Sequence, residues 1–132
     1  MKKVFLIGAM RGIPREEGLG WRIKCKDMLE GKFEVLHAYM GREKKETFTD
    51  PRGAVIRDKN FILQSDLIIM NDSFSNASLI GTSMEVLFAN INYKPIIVFG
   101  NAHKNDYWLD THMTMRVDTL EEAVNIAINL FS

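Results

Sequence analysis

The sequence predicts an α/β protein in which helices cover both faces of a doubly wound, five-stranded parallel sheet of order 2-1-3-4-5. Three observations point there. Short apolar runs alternate with helix-length amphipathic segments, the pattern of strands buried on both faces and joined by crossover helices. The chain of 132 residues is long enough to bury one core without a disulfide or a structural metal, and it carries a single cysteine, Cys25. Right-handed crossovers let such a chain wind one way from its first strand and then reverse.

The first strand is expected at residues 4–8, behind Met1-Lys2-Lys3. Charge followed by apolar residues is also the order of a signal peptide, but Arg11 interrupts the run and no small-residue cleavage site follows. Residues 21–30 place Ile23, Met28 and Leu29 at helical spacing, and residues 33–37 form a second apolar run. A second helix is expected over 55–64, carrying Val55, Ile56, Ile62 and Leu63, and a third strand over 67–70. A third helix begins near Thr82, passes through Met84, Leu87, Phe88 and Ile91, and stops before Lys94-Pro95. The fourth strand is expected at 95–99 and a weaker fifth at 113–117. The last helix runs over about 120–131, with Asp118 or Thr119 as its N-cap and Glu121 or Glu122 three residues on. This is a flavodoxin-like order of elements, and it describes one domain over 1–132.

Charge and composition exclude several classes of function. Seventeen Lys and Arg balance seventeen Asp and Glu, and the sequence pI is about 6.8. A protein that tracks a nucleic-acid polymer needs clustered basic residues, so no such partner is expected, although a free nucleotide needs only a local site. No stretch approaches the ~20 apolar residues of a membrane span, and one cysteine suits a reducing, cytoplasmic compartment. His37, His103 and His112 lie far apart in sequence without ligand-like spacing, so neither a metal nor an organic cofactor is expected.

In a doubly wound sheet, ligands bind beyond the carboxyl ends of the strands where the winding reverses, here between the first and third strands. The first strand leaves through Gly8-Ala9-Met10-Arg11-Gly12. Its glycines permit close backbone approach, and Arg11 offers a planar donor fork suited to phosphate or carboxylate, or else is a solvated loop charge. It is neither a GxGxxG nor a Walker A motif. The third strand ends at Asn71-Asp72 on the ligand edge, whereas Asp66 lies at the far edge. Asp72 is either a ligand group or a turn residue bonding its own backbone. Gly81-Thr82-Ser83-Met84-Glu85 reads as a capping box, Thr82 at N-cap and Glu85 at N3. A carboxylate in that first turn is kept ionised by the helix dipole and is then a competent nucleophile. Arg57-Asp58 lies in the helix before the third strand. Asp50-Pro51 as its start places Asp58 two turns inside, while a start near Gly53 brings it up to the crevice, and an exposed helix charge is the plain alternative. Asp58 and Glu85 together fit the two-carboxylate logic of glycosidic-bond chemistry.

Gly8-Ala9-Met10-Arg11-Gly12, Arg57-Asp58, residues 65–71 and Gly81-Thr82-Ser83-Met84-Glu85, in that order and at similar intervals, resemble the nucleoside 2-deoxyribosyltransferase superfamily. That superfamily includes deoxynucleoside 5'-monophosphate N-glycosidases. The matching blocks span residues 4–99. The resemblance implies double displacement at the anomeric carbon of a (deoxy)ribosyl group, with Glu85 as the nucleophile that carries the glycosyl-enzyme intermediate. It implies that Asp58 assists proton transfer to the departing base. It further implies that the loop of Gly8, Met10, Arg11 and Gly12 cradles the sugar and, in the monophosphate branch, the 5'-phosphate, with Arg11 as the phosphate-ligand candidate; Asn71, Asp72, Gly81 and Thr82 join them as candidate nucleoside- or nucleotide-binding residues at the same edge of the sheet. A homodimer or higher homo-oligomer with a shared site is implied as well, with Tyr107-Trp108, on the loop after the fourth strand, as residues that close the site, stack on a base or simply pack. Two positions depart from the family pattern: Ala9 stands where the monophosphate hydrolases place serine, and Leu79 where the transferases carry aspartate. These departures motivate an alternative, a non-catalytic nucleotide-binding module of the same fold in which Glu85 only caps a helix. A flavodoxin-type redox protein is disfavoured, because the first loop lacks a hydroxyl-rich phosphate cradle.

Overall fold

The computed structural model describes residues 1–41 and 50–132. Its five strands are β1 (Lys2–Gly8), β2 (Phe33–His37), β3 (Leu67–Asn71), β4 (Ile96–Phe99) and β5 (Met115–Val117). All pair in parallel, in the order β2-β1-β3-β4-β5 that the sequence predicts. The α-helices are α1 (Arg15–Met28), α2 (Pro51–Gln64), α3 (Ile80–Ile91), α4 (Tyr107–His112) and α5 (Leu120–Ile126), the last continuing as a π-helical segment, Ala127–Phe131.

The two-residue period of the strands sorts the core onto two faces. Val4 and Leu6 of β1, Leu67 and Ile69 of β3, and Ile97 and Phe99 of β4 pack with Cys25, Leu29, Leu120 and Ala123 of the α1 and α5 side. Phe5, Ile7, Ile68, Met70, Ile96 and Val98 point the other way, against Ile62 of α2 and Val86 and Ala89 of α3. Burial of both faces explains why β1, β3 and β4 read as unbroken apolar runs. It also pushes the Cys25 thiol up to about 12, so this cysteine stays a protonated packing residue.

The helix boundaries depart from expectation where turn-like residues sit inside helices. α1 starts at Arg15 rather than Trp21: Pro14 sets its entry, and Glu16 and Glu17 fill its first turn. Its Gly18 is there for packing, since a Cβ at that position would stand 2.5 Å from the Tyr39 hydroxyl oxygen. α2 starts at Pro51, with Asp50 as N-cap, and Gly53 lies within it. α3 starts at Ile80 with Leu79 as N-cap, so the Thr82–Glu85 capping box does not form and Thr82 is a buried third helical residue. By contrast, Thr119 caps α5, accepting from the Glu122 backbone N–H at 3.2 Å. Residues 107–112, expected as loop, form α4, where the Asp106 side chain accepts from the Leu109 N–H at 3.1 Å.

Candidate active site

Gly8 and Asn71, the last residues of β1 and β3, are paired across the sheet. Beyond them β1 and β3 diverge into α1 and α3, and their loops are tied together by the Ser78 N–H donating to the Arg11 carbonyl at 3.2 Å. Gly12 makes the contact possible. Its φ is +85°, and a Cβ there would meet the Ala77 backbone at 3.3 Å. The result is a cleft of about 450 Å³ between this double loop and the helices α2 and α3.

Gly8, Met10, Arg11, Asp58, Gly81, Thr82 and Glu85 all line this cleft. They come from three separate stretches of sequence, and the crossover topology brings them together. Asp58 is the eighth residue of α2, so the early helix start is the correct one, yet Asp58 still faces the cleft because α2 lies alongside α3. Its neighbour Arg57 ties α2 to the residues just after β2. One guanidinium nitrogen donates to the Met40 carbonyl at 2.7 Å, the other to the Ala38 carbonyl at 2.8 Å and to the Asp58 carboxylate at 3.3 Å.

Three expected residues lie elsewhere. Asp72 is buried beneath the loop after β4, where its carboxylate accepts from Arg116 at 2.8 Å, from the His103 backbone N–H at 2.9 Å and from His103 Nδ1 at 2.6 Å. Rather than a ligand edge or a self-bonding turn, this strand end holds a cross-link to the loop after β4 and to β5. Gly100 at the end of β4 allows it: its φ is +97°, and a Cβ would stand 2.6 Å from the Asp72 carbonyl oxygen. Asn71 is buried, its side-chain carbonyl accepting from the Ser73 N–H at 2.9 Å. Gly12 shapes the rim as described and does not line the cleft.

The charge state of Glu85 also differs from expectation. It is the sixth residue of α3, beyond the first turn where the helix dipole acts on a carboxylate. Burial pushes its pKa from the ordinary 4.5 up to about 8, the negative charge of Asp58 pushes in the same direction, and Arg22 opposes both. Glu85 thus favours its protonated form at neutral pH.

Arg22 is the site residue that sequence reading missed. It is 1% exposed, lines the cleft floor, and donates to the Gly18 carbonyl at 2.6 Å and the Gly8 carbonyl at 3.0 Å. Its guanidinium lies against the rings of Trp21 and Tyr39, with its carbon 4.7 and 5.1 Å from the two ring centroids. Burial lowers its pKa to about 10, while Tyr39, Glu85 and Asp58 favour the charged form, so it stays cationic at neutral pH. A signal existed: Gly18, Arg22, Cys25 and Leu29 form one buried helical stripe, and an arginine in an apolar stripe marks a functional or structural charge.

No family model matches the sequence, and no curated protein matches it. Solved structures do match. A 2-deoxyribosyltransferase from Bacillus psychrosaccharolyticus superposes with a TM-score of 0.70 at 17% identity, over 93% of this chain and 90% of that one. A 2-desoxiribosyltransferase from Leishmania mexicana gives 0.70 at 14% identity, over 98% and 99%. A CMP N-glycosidase from Clostridium botulinum gives 0.62 at 23% identity, over 94% and 96%. The chain has the 2-deoxyribosyltransferase fold. Its flavodoxin-like sheet and the helices between the strands are those of these neighbours, and the resemblance read from the short motifs is reproduced at the level of the whole backbone. Among the described residues, no helix of this fold is long and apolar enough to cross a membrane, and no three His, Cys, Asp or Glu side chains converge to hold a metal ion.

Proposed function

We propose that the protein is an enzyme of the nucleoside 2-deoxyribosyltransferase superfamily that cleaves or transfers the N-glycosidic bond of a 2'-deoxynucleoside or its 5'-monophosphate. The observation that carries this reading is the meeting of Glu85 and Asp58 in one cleft beyond β1 and β3, with Arg11 at its rim. Burial keeps the resting proton on Glu85, so attack requires that this proton first move to Asp58. The Glu85 carboxylate then bonds to the anomeric carbon as the C–N bond breaks. The electron pair leaves with the base, which takes the proton from Asp58. Water or a second base attacks the same carbon, Glu85 departs as carboxylate, and Asp58 recovers a proton from the incoming nucleophile. Arg11 holds a 5'-phosphate when the substrate carries one. Ala9 is buried and supplies no hydroxyl to that group.

Incubation with 2'-deoxynucleosides and their monophosphates, with and without a second base, is expected to yield free base or an exchanged nucleoside. Free base without acceptor identifies hydrolysis, and product only with acceptor identifies transfer. The protonated resting state of Glu85 favours the second reading, a nucleotide-binding module without turnover. Bound nucleotide recovered intact, with no base released under any condition, selects that module over the enzyme.

The reading includes a second copy of the chain. Ile80, Met84, Leu87 and Ile91 form an exposed stripe along α3, each at least 43% accessible, and Val55 and Ile56 extend it onto α2. Val55, Ile80 and Met84 also line the cleft, so a copy seated on this stripe walls the site. The protein is expected to sediment as a dimer at micromolar concentration, and Met84→Lys to sediment as a monomer with reduced turnover. A monomeric wild type with full activity would remove the partner from the site.

A further inference from the structure

On the other flank of α3, between it and α4, lies a cavity of about 660 Å³, within the range of roughly 300 to 1,000 Å³ usual for small-molecule pockets. Glu85, Asp58 and Arg22 do not line it. Its body is apolar, built by Met70, Leu79 and Leu87 among others, and its polar groups include two imidazoles, His103 and His112.

Both imidazoles are oriented by partners on one side of the ring. His103 Nδ1 lies 2.6 Å from the fully buried Asp72 carboxylate, which Arg116 holds from the opposite side at 2.8 Å. His112 Nδ1 lies 2.6 Å from the Trp108 carbonyl oxygen, which accepts only, so this nitrogen carries the proton. A carboxylate likewise accepts from His103 Nδ1. With Nδ1 donating in both rings, the neutral form of each imidazole presents Nε2 as an acceptor. Among the described residues neither Nε2 has a hydrogen-bond partner. The Trp108 indole, 67% exposed, stacks on His112 with an interplanar angle of 7° and a centroid separation of 6.0 Å, adding a flat aromatic wall.

We propose that this cavity is a second ligand site, one that takes a planar nitrogen heterocycle carrying N–H donors. The apolar walls and the indole cover the faces of the ring, and the two Nε2 lone pairs accept its N–H groups. A donor-free ring loses those bonds and leaves the acceptors unpaired, which is the basis of selection. This site shares the Ile80 and Met84 walls with the cleft but none of its charged residues, so binding here does not require the Glu85 carboxyl.

Adenine serves as the donor-bearing probe, and 9-methylpurine as the same ring system without any N–H. Calorimetric titration and indole NMR shifts are expected to report adenine binding in the wild type and equally in Glu85→Gln. Trp108→Ala and His103→Phe are each expected to weaken it about tenfold or more. 9-Methylpurine is expected to bind at least about tenfold more weakly than adenine. Adenine affinity that is lost in Glu85→Gln, or kept in both cavity variants, overturns the proposal, as do equal affinities for the two probes or no adenine binding by the wild type. Trp108 lies on the surface, so its variant keeps the test open if His103→Phe fails to fold.

Discussion

Replacing Glu85 by Gln is expected to lower turnover of the 2'-deoxynucleoside or deoxynucleotide substrate by at least about 10³-fold while leaving the fold intact. The amide has the shape of the carboxyl group, so packing around α3 is preserved, but it cannot form the ester bond to the anomeric carbon. Asp58→Asn is expected to cost less, roughly 10²-fold, because a proton relay speeds bond breaking without being the bonded partner. Because Asp58 also takes the proton from Glu85, a substrate whose leaving base is acidic enough to depart without a proton should recover only part of the Asp58→Asn loss and none of the Glu85→Gln loss. Base release is followed by chromatography, and trapping with a slow 2-fluoro sugar analogue, read by intact-protein mass, reports the adduct. Glu85→Gln retaining more than about a tenth of wild-type turnover would sink the assignment of the nucleophile.

The second large effect concerns stability. The Glu85 pKa is raised from 4.5 to about 8 by burial and by Asp58. Between those values the folded protein binds a proton that the unfolded chain has released. The free energy of unfolding therefore falls as pH rises through this window and levels off above about 8. A shift of this size has a ceiling of about 5 kcal/mol, and partial solvent access to Glu85 reduces the expected effect to roughly 2–3 kcal/mol. Other carboxylates titrate too, so the informative quantity is the difference between wild type and Glu85→Gln. Urea unfolding across pH 5 to 9 is expected to show the variant gaining on the wild type by roughly 2–3 kcal/mol as pH rises. Parallel pH profiles would show that Glu85 titrates as an ordinary exposed carboxyl. The same substitution is thus expected to abolish turnover and to stabilise the protein at alkaline pH, the trade found where a site holds a group in an unfavourable environment.

Residues 4–8 and 67–70 are legible as strands because burial on both faces leaves no polar position in the run, and 33–37 because Glu34 alone faces solvent in this edge strand; the parallel order follows from crossover handedness. The helix starts were harder to read. Gly18, Gly20 and Gly53 look like breaks by local propensity, but Gly18 sits in a helix because Tyr39 packs on it, and that neighbour is 21 residues away. The short helix over 107–112 has too few residues for a period to emerge, and only its Asp106 cap marks it.

For the candidate site, the sequence by itself determined the sheet order, and with it the end of the sheet where ligands bind and the carboxylates that reach it. Strand period and crossover handedness are local or topological, and a sequence carries both. Tertiary structure alone decided that Asp72 serves a buried cross-link with His103 and Arg116, that Arg22 lies buried at the cleft against two aromatic rings, and that burial raises the Glu85 pKa. Each of these depends on which distant groups surround a charge and on how much water is excluded from it. Solvation and Coulomb energies are properties of the packed assembly, and no spacing along the chain encodes them.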